Sequence, residues 1–296
     1  MSSINIIGAS CLDLLMKNTD EKSFFSGSYK SERIITSFGG DALNEALVLS
    51  HFGNDVKLCT LLGNDPAGRM IRNKLDEENI RYDSDILHND IDTYVSLVFI
   101  DDRGERKFVG SENGSLRLLD LDHIYIDDEA KIVSFASLFI SKMLNNDKLC
   151  MFFSQLRKCG KILCADCSTP KNNEDVKDMK CLAYLDYFFC NESEAEKLCH
   201  NDDLMLCEAR LYEAGIRNVI IKCGSKGCLY QGRYYPPAHT VNCIDSTGAG
   251  DSFVAGFIQG LSRGYDIKEC IEIANSYGSK ACAYIGATAW LQHLSN

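Results

Sequence analysis

The sequence predicts an α/β fold, a three-layer sandwich with a mainly parallel central sheet and a small antiparallel β lid. Apolar segments of strand length alternate with helical patterns along most of the 296 residues, which is typical of a parallel sheet covered on both faces. Two stretches, 24–38 and 93–109, break this alternation because they are extended and lack a helical pattern. Hydrophobic residues make up 45% and charged residues 25%, which is the composition of an ordinary globular chain.

Local signals define the first elements. Gly53 follows a helical pattern as a C-cap residue, and Asp65-Pro66 places a capping residue before a proline at the first helical position. In order, these units are a strand at 4–8, a helix at 41–52, a strand at 56–62 and a helix from 66 to about 78.

The later units repeat this scheme. No internal repeat or Pro/Gly/Ser-rich linker divides the chain, so a single domain over 1–296 is expected. Strands are predicted at 132–137, 161–166, 185–190 and 219–223, and helices at 146–159, 192–200, 203–214, 249–263 and 267–284.

The lid is predicted from two segments, about 14–38 and 91–111. Residues 101–104 form a turn signal between two β-rich runs, which predicts a hairpin. A lid of this kind can exclude water from a reactive group.

Charge and hydropathy limit the classes of partner. Lys and Arg number 31 and Asp and Glu 42, so the formal net charge is −11, whereas a nucleic-acid or anionic-membrane partner needs a basic face. The best apolar run, 132–140, has nine residues, against the roughly 20 that span a bilayer. Without a basic leader, a cytoplasmic location is expected.

Fifteen cysteines are scattered along the chain, and in a cytosolic protein of this length they are expected to be reduced and buried. Cys164 and Cys167 form a C-x-x-C pair, a weak zinc or redox signal without a second pair nearby.

The most informative motif is Asp245-Ser-Thr-Gly-Ala-Gly-Asp251, which precedes a long helical pattern. Gly248, Ala249 and Gly250 have little or no side chain, so an anion can approach their backbone N–H groups at a helix start. Asp251 would lie beside that anion and could orient and deprotonate an attacking hydroxyl, as phosphoryl transfer requires. The alternative is that Asp251 only caps the helix.

These residues resemble the C-terminal signature of the ribokinase-like (PfkB-type) carbohydrate kinases. Gly39-Gly40 with Asn44 four residues beyond resembles the N-terminal signature of the same family. The two motifs are about as far apart as in that family, and the resemblance covers nearly the whole chain.

The resemblance implies ATP-dependent phosphorylation of a sugar hydroxyl, with Asp251 as the base and Gly248, Ala249 and Gly250 as the anion hole. It implies a sugar site at the residues Asp13, Gly39, Gly40 and Asn44. Arg106 on the lid could also face the substrate, although a charge on a hairpin is more often solvated.

Further residues match the nucleotide and metal positions of the family. Asn191 and Glu194 match its Asn-x-x-Glu motif, which helps to place Mg²⁺ and the phosphates, although this spacing also fits simple helix capping. Lys222 stands where the family usually has Thr or Ser. The implied nucleotide residues are Asn191, Lys222, Gly224, Ser225, Gly227, Asn275 and Gly278, and the implied K⁺ ligands, through backbone carbonyls, are Asp245, Thr247, Ala281 and Gly286.

Asp41 follows the Gly-Gly pair where kinases of sugar phosphates commonly have a basic residue. A carboxylate there would repel a second phosphate, so an unphosphorylated sugar or sugar derivative is favoured, unless Asp41 is merely a helix cap. A nucleoside kinase, a non-catalytic sugar- or nucleotide-binding regulator, a nicotinamide-dependent dehydrogenase and a zinc or redox protein remain alternatives.

Relatives often dimerise through the lid. Such a homodimer would cover apolar edge positions, for which the candidates are Phe24, Phe25, Val95 and Phe99.

Overall fold

The structure, a computed structural model, describes residues 3–19, 30–101, 106–168, 179–239 and 241–294, apart from the side chains of Arg106 and His123. In chain order, the first elements are β1 (Ser3–Ile7), β2 (Cys11–Lys17), β3 (Arg33–Gly39), α1 (Asp41–His51), β4 (Asp55–Cys59), β5 (Leu62–Gly63), α2 (Pro66–Glu77), β6 (Leu87–His88), β7 (Val95–Ile100), β8 (Arg106–Gly110) and α3 (Ser115–Leu118). They are followed by β9 (Ala130–Leu138), α4 (Asn146–Lys158), β10 (Ile162–Cys167), β11 (Tyr187–Asn191), α5 (Glu192–Cys199), α6 (Leu204–Glu213), β12 (Val219–Lys222), β13 (Cys228–Tyr230), β14 (Arg233–Tyr235), α7 (Ala249–Ser262) and α8 (Ile267–Cys282).

Within the described residues, eight strands form the central sheet in the order β14-β13-β12-β11-β10-β9-β1-β4. The neighbours from β4 to β12 pair in parallel, as predicted, and the register places Ile4 beside both Val56 and Ile132. Two antiparallel strands, β13 and β14, complete one edge. They were not predicted because three residues each are too few for a periodic pattern.

The sheet separates two apolar cores, which makes the fold a three-layer sandwich. Alternate residues of each buried strand point to opposite faces, so Ile220 belongs to the first core and Ile221 to the second. Helices α1, α2, α7 and α8 supply the first core, and α4, α5 and α6 supply the second. The predicted fold class is confirmed.

The lid is a separate sheet in the order β3-β2-β7-β8. The predicted hairpin is present as β7 and β8, and both outer pairings are antiparallel. Strand β2 pairs in parallel with β7 and starts the lid at Cys11, slightly before the predicted start. Its sequence lacks the alternation of a half-buried strand, which is why only a lid segment, and not this strand, was predicted there.

Two local predictions had different outcomes. Helix α2 begins as expected, because the Asp65 carboxylate accepts a hydrogen bond from the Gly68 amide at 2.8 Å and Pro66 is the first helical residue. The strand expected at 56–62 is divided, since β4 ends at Cys59 and β5 pairs with β6 in a third, two-stranded sheet.

The cysteines behave as small apolar residues, and all fifteen are free thiols, most of them buried. Cys164 packs in the first core and Cys167 in the second, so the C-x-x-C sulfurs lie on opposite faces of the sheet and cannot share a metal ion. The described residues also contain no cluster of three or more His, Cys, Asp or Glu side chains that could hold one.

In the described part of the chain, no helix has the length and apolarity to cross a membrane. The cytoplasmic location stays a prediction.

The described part of the lid exposes apolar side chains, and Phe99 is not one of them. Phe99 is buried within the chain at 4% exposure, so the expectation that a dimer would cover it is wrong. Val95 is half-buried, and Phe24 and Phe25 lie outside the described residues. Among the described lid residues, the exposed apolar side chains belong to the two edge strands, β3 and β8, and are Ile34, Phe108 and Val109. Dimerisation through the lid stays a prediction.

Candidate active site

Helix α7 begins at the carboxyl end of the central sheet with a tight turn. Gly248 precedes the helix in the left-handed conformation, with φ at 69°, and a Cβ there would lie 2.5 Å from the Ala287 side chain. The Ala249 amide donates to the Ser246 carbonyl at 3.2 Å. The amides of Gly250 and Asp251 belong to the first turn, where a helix supplies no intrahelical acceptor. The turn can therefore present backbone donors to an anion.

Asp251 lies in this first turn with a partner from α1. Its Oδ2 accepts a hydrogen bond from Asn44 Nδ2 at 2.7 Å, so the two signature motifs, 207 residues apart, meet at one carboxylate. Burial raises the pKa of Asp251 to about 7, and the nearby Asp41 carboxylate adds to this rise. Asp251 does not cap the helix, because the cap position is Gly248 and no side chain bonds there.

A cavity of about 700 Å³ opens between the lid and the sheet and reaches Asp251. All of the sequence-predicted sugar residues whose side chains are described line it, namely Asp13, Gly39, Gly40 and Asn44. Arg106 lies in β8, but its side chain is outside the described residues.

Steric constraints at this cavity explain why positions 39 and 40 are both glycine. A Cβ at Gly39 would collide with the Asp13 carboxylate, and Gly40 has φ at 94° and would bring a Cβ to 2.5 Å from the Ala9 carbonyl oxygen. Asn44 is 4% exposed, and its Oδ1 has no hydrogen-bond partner among the described residues. A buried acceptor without a partner among the described residues thus lies next to the hydrogen bond between Asn44 and Asp251.

Sequence reasoning did not assign several other residues of this wall. Ser96 pairs with Asp13 in the lid register, and its buried Oγ has no partner among the described residues. Because β2 was not predicted as a strand, nothing in the sequence placed Ser96 beside Asp13. Tyr94 and Arg117 also line the cavity, and periodicity alone gives no signal for either.

Asp41 lines the same cavity and is not a helix cap. The cap position of α1 is Gly40, which makes no side-chain cap bond. The Asp41 carboxylate instead accepts hydrogen bonds from Ser168 Oγ at 2.6 Å and Ser137 Oγ at 3.4 Å.

A second, narrower cavity of about 260 Å³ lies on the other side of the α7 start. A Cβ at Gly227 would collide with the Tyr235 carbonyl oxygen, and Gly227 has φ at 82°. Asn275 Nδ2 donates to that same carbonyl oxygen at 2.9 Å. Most of the predicted nucleotide residues line this cavity, namely Lys222, Gly224, Ser225, Gly227, Asn275 and Gly278.

Asn191 and Glu194 form a capping box at the start of α5. The Glu194 amide donates to Asn191 Oδ1, and the Asn191 amide donates to Glu194 Oε2, each at 2.8 Å. The capping alternative therefore describes both side chains, and a phosphate role for Asn191 stays a prediction. Asn191 does not line the cavity between lid and sheet. Glu194 does line it, and burial raises the pKa of its carboxyl.

The four predicted K⁺ residues come from two adjoining segments. The Asp245 carboxylate accepts hydrogen bonds from the amides of Thr247 at 2.9 Å and Gly286 at 2.8 Å. The Ile244 amide donates to the Cys282 carbonyl at 2.8 Å, which holds this loop against the end of α8 beside Ala281. A K⁺ site there stays a prediction.

Known proteins with similar sequences include sugar kinases. Residues 1–293 match the model of the pfkB family carbohydrate kinases. The fructosamine kinase FrlD of Bacillus subtilis is 28% identical over 84% of this chain and 85% of its own length. The 2-dehydro-3-deoxygluconokinase of Haemophilus influenzae is 25% identical over 85% and 88%.

Solved structures share the fold. The Arabidopsis thaliana ribokinase complexed with ribose and ATP superposes with a TM-score of 0.80 at 20% identity, over 98% of this chain and 96% of its own. Because the family model covers nearly the whole sequence and both signature motifs converge on one carboxylate, the chain belongs to the pfkB family of carbohydrate kinases.

Proposed function

We propose that residues 1–296 form a single kinase domain that transfers the terminal phosphoryl group of ATP to a hydroxyl of a small, unphosphorylated sugar or sugar derivative. The observation behind this proposal is the position of the α7 start between the two cavities. Gly248 and Asp251 line the cavity under the lid, whereas Ala249 and Gly250 line the narrower one. A phosphoryl group held at this turn would lie between its donor and its acceptor.

Asp251 is the base in this proposal. It accepts the proton of the attacking hydroxyl while the Asn44 hydrogen bond fixes the direction of its carboxylate. A pKa of about 7 makes it a stronger base than a free Asp, whose pKa is about 3.9. The amides of the turn stabilise the charge that develops on the phosphoryl oxygens.

The charge of the cavity under the lid supports the proposed substrate class. Among the described lining residues, one cation, Arg117, faces five carboxylates, which belong to Asp13, Asp41, Glu112, Glu194 and Asp251. Asp41 stands directly after the glycine pair, so a phosphate on the substrate would be repelled. Unphosphorylated sugars are among the molecules named for the relatives, such as the ribose in the Arabidopsis ribokinase complex.

Glu194 fits a role in holding Mg²⁺, because Mg²⁺ in phosphoryl-transfer sites takes one or two protein carboxylates and completes its coordination with phosphate oxygens and water. When bound, Mg²⁺ neutralises charge on the phosphates. The carbonyls of Asp245, Thr247, Ala281 and Gly286 are proposed ligands for K⁺.

A sugar-dependent ADP-release assay tests the function. The panel contains ketoses, aldoses, sugar acids, aminated sugars, sugar phosphates and nucleosides. We expect turnover with an unphosphorylated sugar, and a preference for a nucleoside would instead support a nucleoside kinase of the same fold. Asp251→Asn should lower kcat by about 10³-fold and leave sugar and ATP binding within a few-fold. If Asp251→Asn retained full turnover, the assigned base would be wrong.

A further inference from the structure

Lys222 is the last residue of β12, and its ammonium group is buried at the carboxyl end of the sheet. Its Nζ bonds both carboxylate oxygens of Asp166, at 2.7 and 2.6 Å. The two side chains are 13% and 4% exposed. They come from strands two places apart in the sheet, with β11 between them. The central sheet therefore fixes the positions of both Lys222 and Asp166.

The ammonium also lies against the phosphate-binding turn. A Cβ placed on Gly250 would lie 3.3 Å from Lys222 Nζ, and the atoms nearest to that position all belong to Lys222. An ammonium has three donors, and the described residues supply acceptors for two of them, both on Asp166. The third donor is available to a group bound at the turn.

The charges around the narrower cavity also favour a contact between Lys222 and a bound phosphate group. Among the described residues that line the narrower cavity, Lys222 is the one lysine or arginine, although a nucleoside triphosphate brings several negative charges. Burial opposes its charge, but Asp166 and Glu194 outweigh burial and raise the pKa of Lys222, so the ammonium is charged at neutral pH. Its charge also lowers the pKa of Asp251, against the effect of burial.

On the basis of the proposed function, we propose that Lys222, oriented by Asp166, is a catalytic cation that binds the transferring phosphoryl group. Asp166 is a positioning residue, since it acts through Lys222. The competing explanation is that Lys222 only neutralises Asp166, as a buried ion pair often does.

A double variant separates the two explanations. Lys222→Met alone leaves Asp166 buried without a partner, whereas Lys222→Met with Asp166→Asn leaves no uncompensated buried charge. If Lys222 binds the phosphoryl group, the double variant should fold with a melting temperature near that of the wild type and still lose about 10²- to 10³-fold in kcat. The acid limb of its kcat/KM profile should move to higher pH, because Asp251 loses a nearby cation. Wild-type kcat with an unchanged pH profile would overturn the proposal.

Nucleotide binding gives a readout that does not need turnover. In the presence of Mg²⁺, calorimetry should show that the double variant weakens ATP binding at least tenfold and ADP binding by less than threefold. Equal losses for ATP and ADP would contradict a contact with the terminal phosphoryl group. This result stands even if no sugar in the panel supports ADP release, so it separates failure of the lysine assignment from failure of the proposed function.

Two further variants complete the design. Lys222→Arg keeps the positive charge and should retain more activity than Lys222→Met, even if the double variant folds poorly. Lys226→Met is the matched control in the next turn, where the lysine side chain is 67% exposed and lies 3.7 Å from Glu192. This control should change neither kcat nor the ratio of ATP to ADP affinity.

Discussion

Each end of the central sheet has a buried lysine, and the two lysines have different surroundings. At the amino end, Lys57 is 5% exposed. Its Nζ lies 2.7 Å from Asp83, 3.1 Å from Asp127 and 2.8 Å from the Tyr125 carbonyl oxygen. All three donors of this ammonium have acceptors within the chain. Arg81 adds a second cation, which bonds Asp55 and Asp127.

At the carboxyl end the cations are too few for the carboxylates. Among the residues that the structure describes, Lys222 bonds only Asp166, while Glu194 and Asp251 lie near enough to affect its pKa. The pKa values report the difference, because Arg81 and Lys57 overcome burial and lower the pKa of Asp127, whereas burial raises those of Asp251 and Glu194. At the amino end every donor of Lys57 thus has an acceptor. At the carboxyl end, among the described residues, one donor of Lys222 and the buried Asn44 Oδ1 have no partner beside the two cavities of the candidate site. In α/β folds ligands bind at that end.

The pH dependence of the rate should give the largest effect. Protonated Asp251 cannot accept a proton, so kcat/KM should fall about tenfold per unit as pH drops below about 7, the pKa of this carboxyl. The measurement is a kcat/KM profile from pH 5 to 9 with a saturating nucleotide. An acid limb that begins near pH 4 would mean that Asp251 behaves as a solvated carboxyl and that the contrast between the two ends is wrong.

The same pKa values predict opposite effects on folding. The raised pKa of Asp251 favours the folded state below about pH 4, and this contribution is lost as pH rises through about 7. The lowered pKa of Asp127 stabilises the fold above about pH 4 and is lost as pH falls. Asp251→Asn should therefore be more stable than the wild type at pH 8, with a smaller difference at pH 5 in urea unfolding.

Lys57→Met tests the amino end. Removing the ammonium leaves Asp83 and Asp127 partly buried with fewer cationic partners, so the free energy of unfolding should fall by about 2–3 kcal/mol. The kcat of the folded protein should stay within twofold of the wild type, because Lys57 lies at the end of the sheet away from both cavities. Urea unfolding measures the free energy of unfolding, and the ADP-release assay measures kcat. A large loss of kcat in fully folded protein would contradict the assignment of a purely structural role to the amino-end ion pairs.

Local signals explain how much of the fold the sequence could predict. Asp65 and Pro66 begin a helix by interactions within one turn, and the buried strands are continuous apolar runs. Strand β2 has no such signal, since its register depends on β3 and β7. The short edge strands β13 and β14 likewise depend on β12 for their existence.

The residues of the candidate site likewise differ in whether a local sequence signal could identify them. Asp251, Asn44 and the glycine turns could be found because the family motifs contain them. The pairing of Lys222 with Asp166 joins residues 56 positions apart, and no local pattern indicates it. The sequence shows that position 41 is acidic. Only the structure shows that Ser168 and Ser137 hold the Asp41 carboxylate in the cavity.

Ser96→Ala should give the smallest of these effects on kinetics. It tests whether the lid strand β7 contacts the substrate. The buried Ser96 Oγ has no partner among the described residues and lies beside Asp13 at the wall of the cavity under the lid. If it binds a sugar hydroxyl, its loss should raise the sugar KM about three- to tenfold, the effect of one neutral hydrogen bond, with kcat and the ATP KM unchanged. Ser262→Ala is a matched control, since that hydroxyl bonds Asn54 and the Gln259 carbonyl away from either cavity. An unchanged sugar KM in Ser96→Ala would mean that the substrate contacts Asp13 and Asn44 without reaching β7.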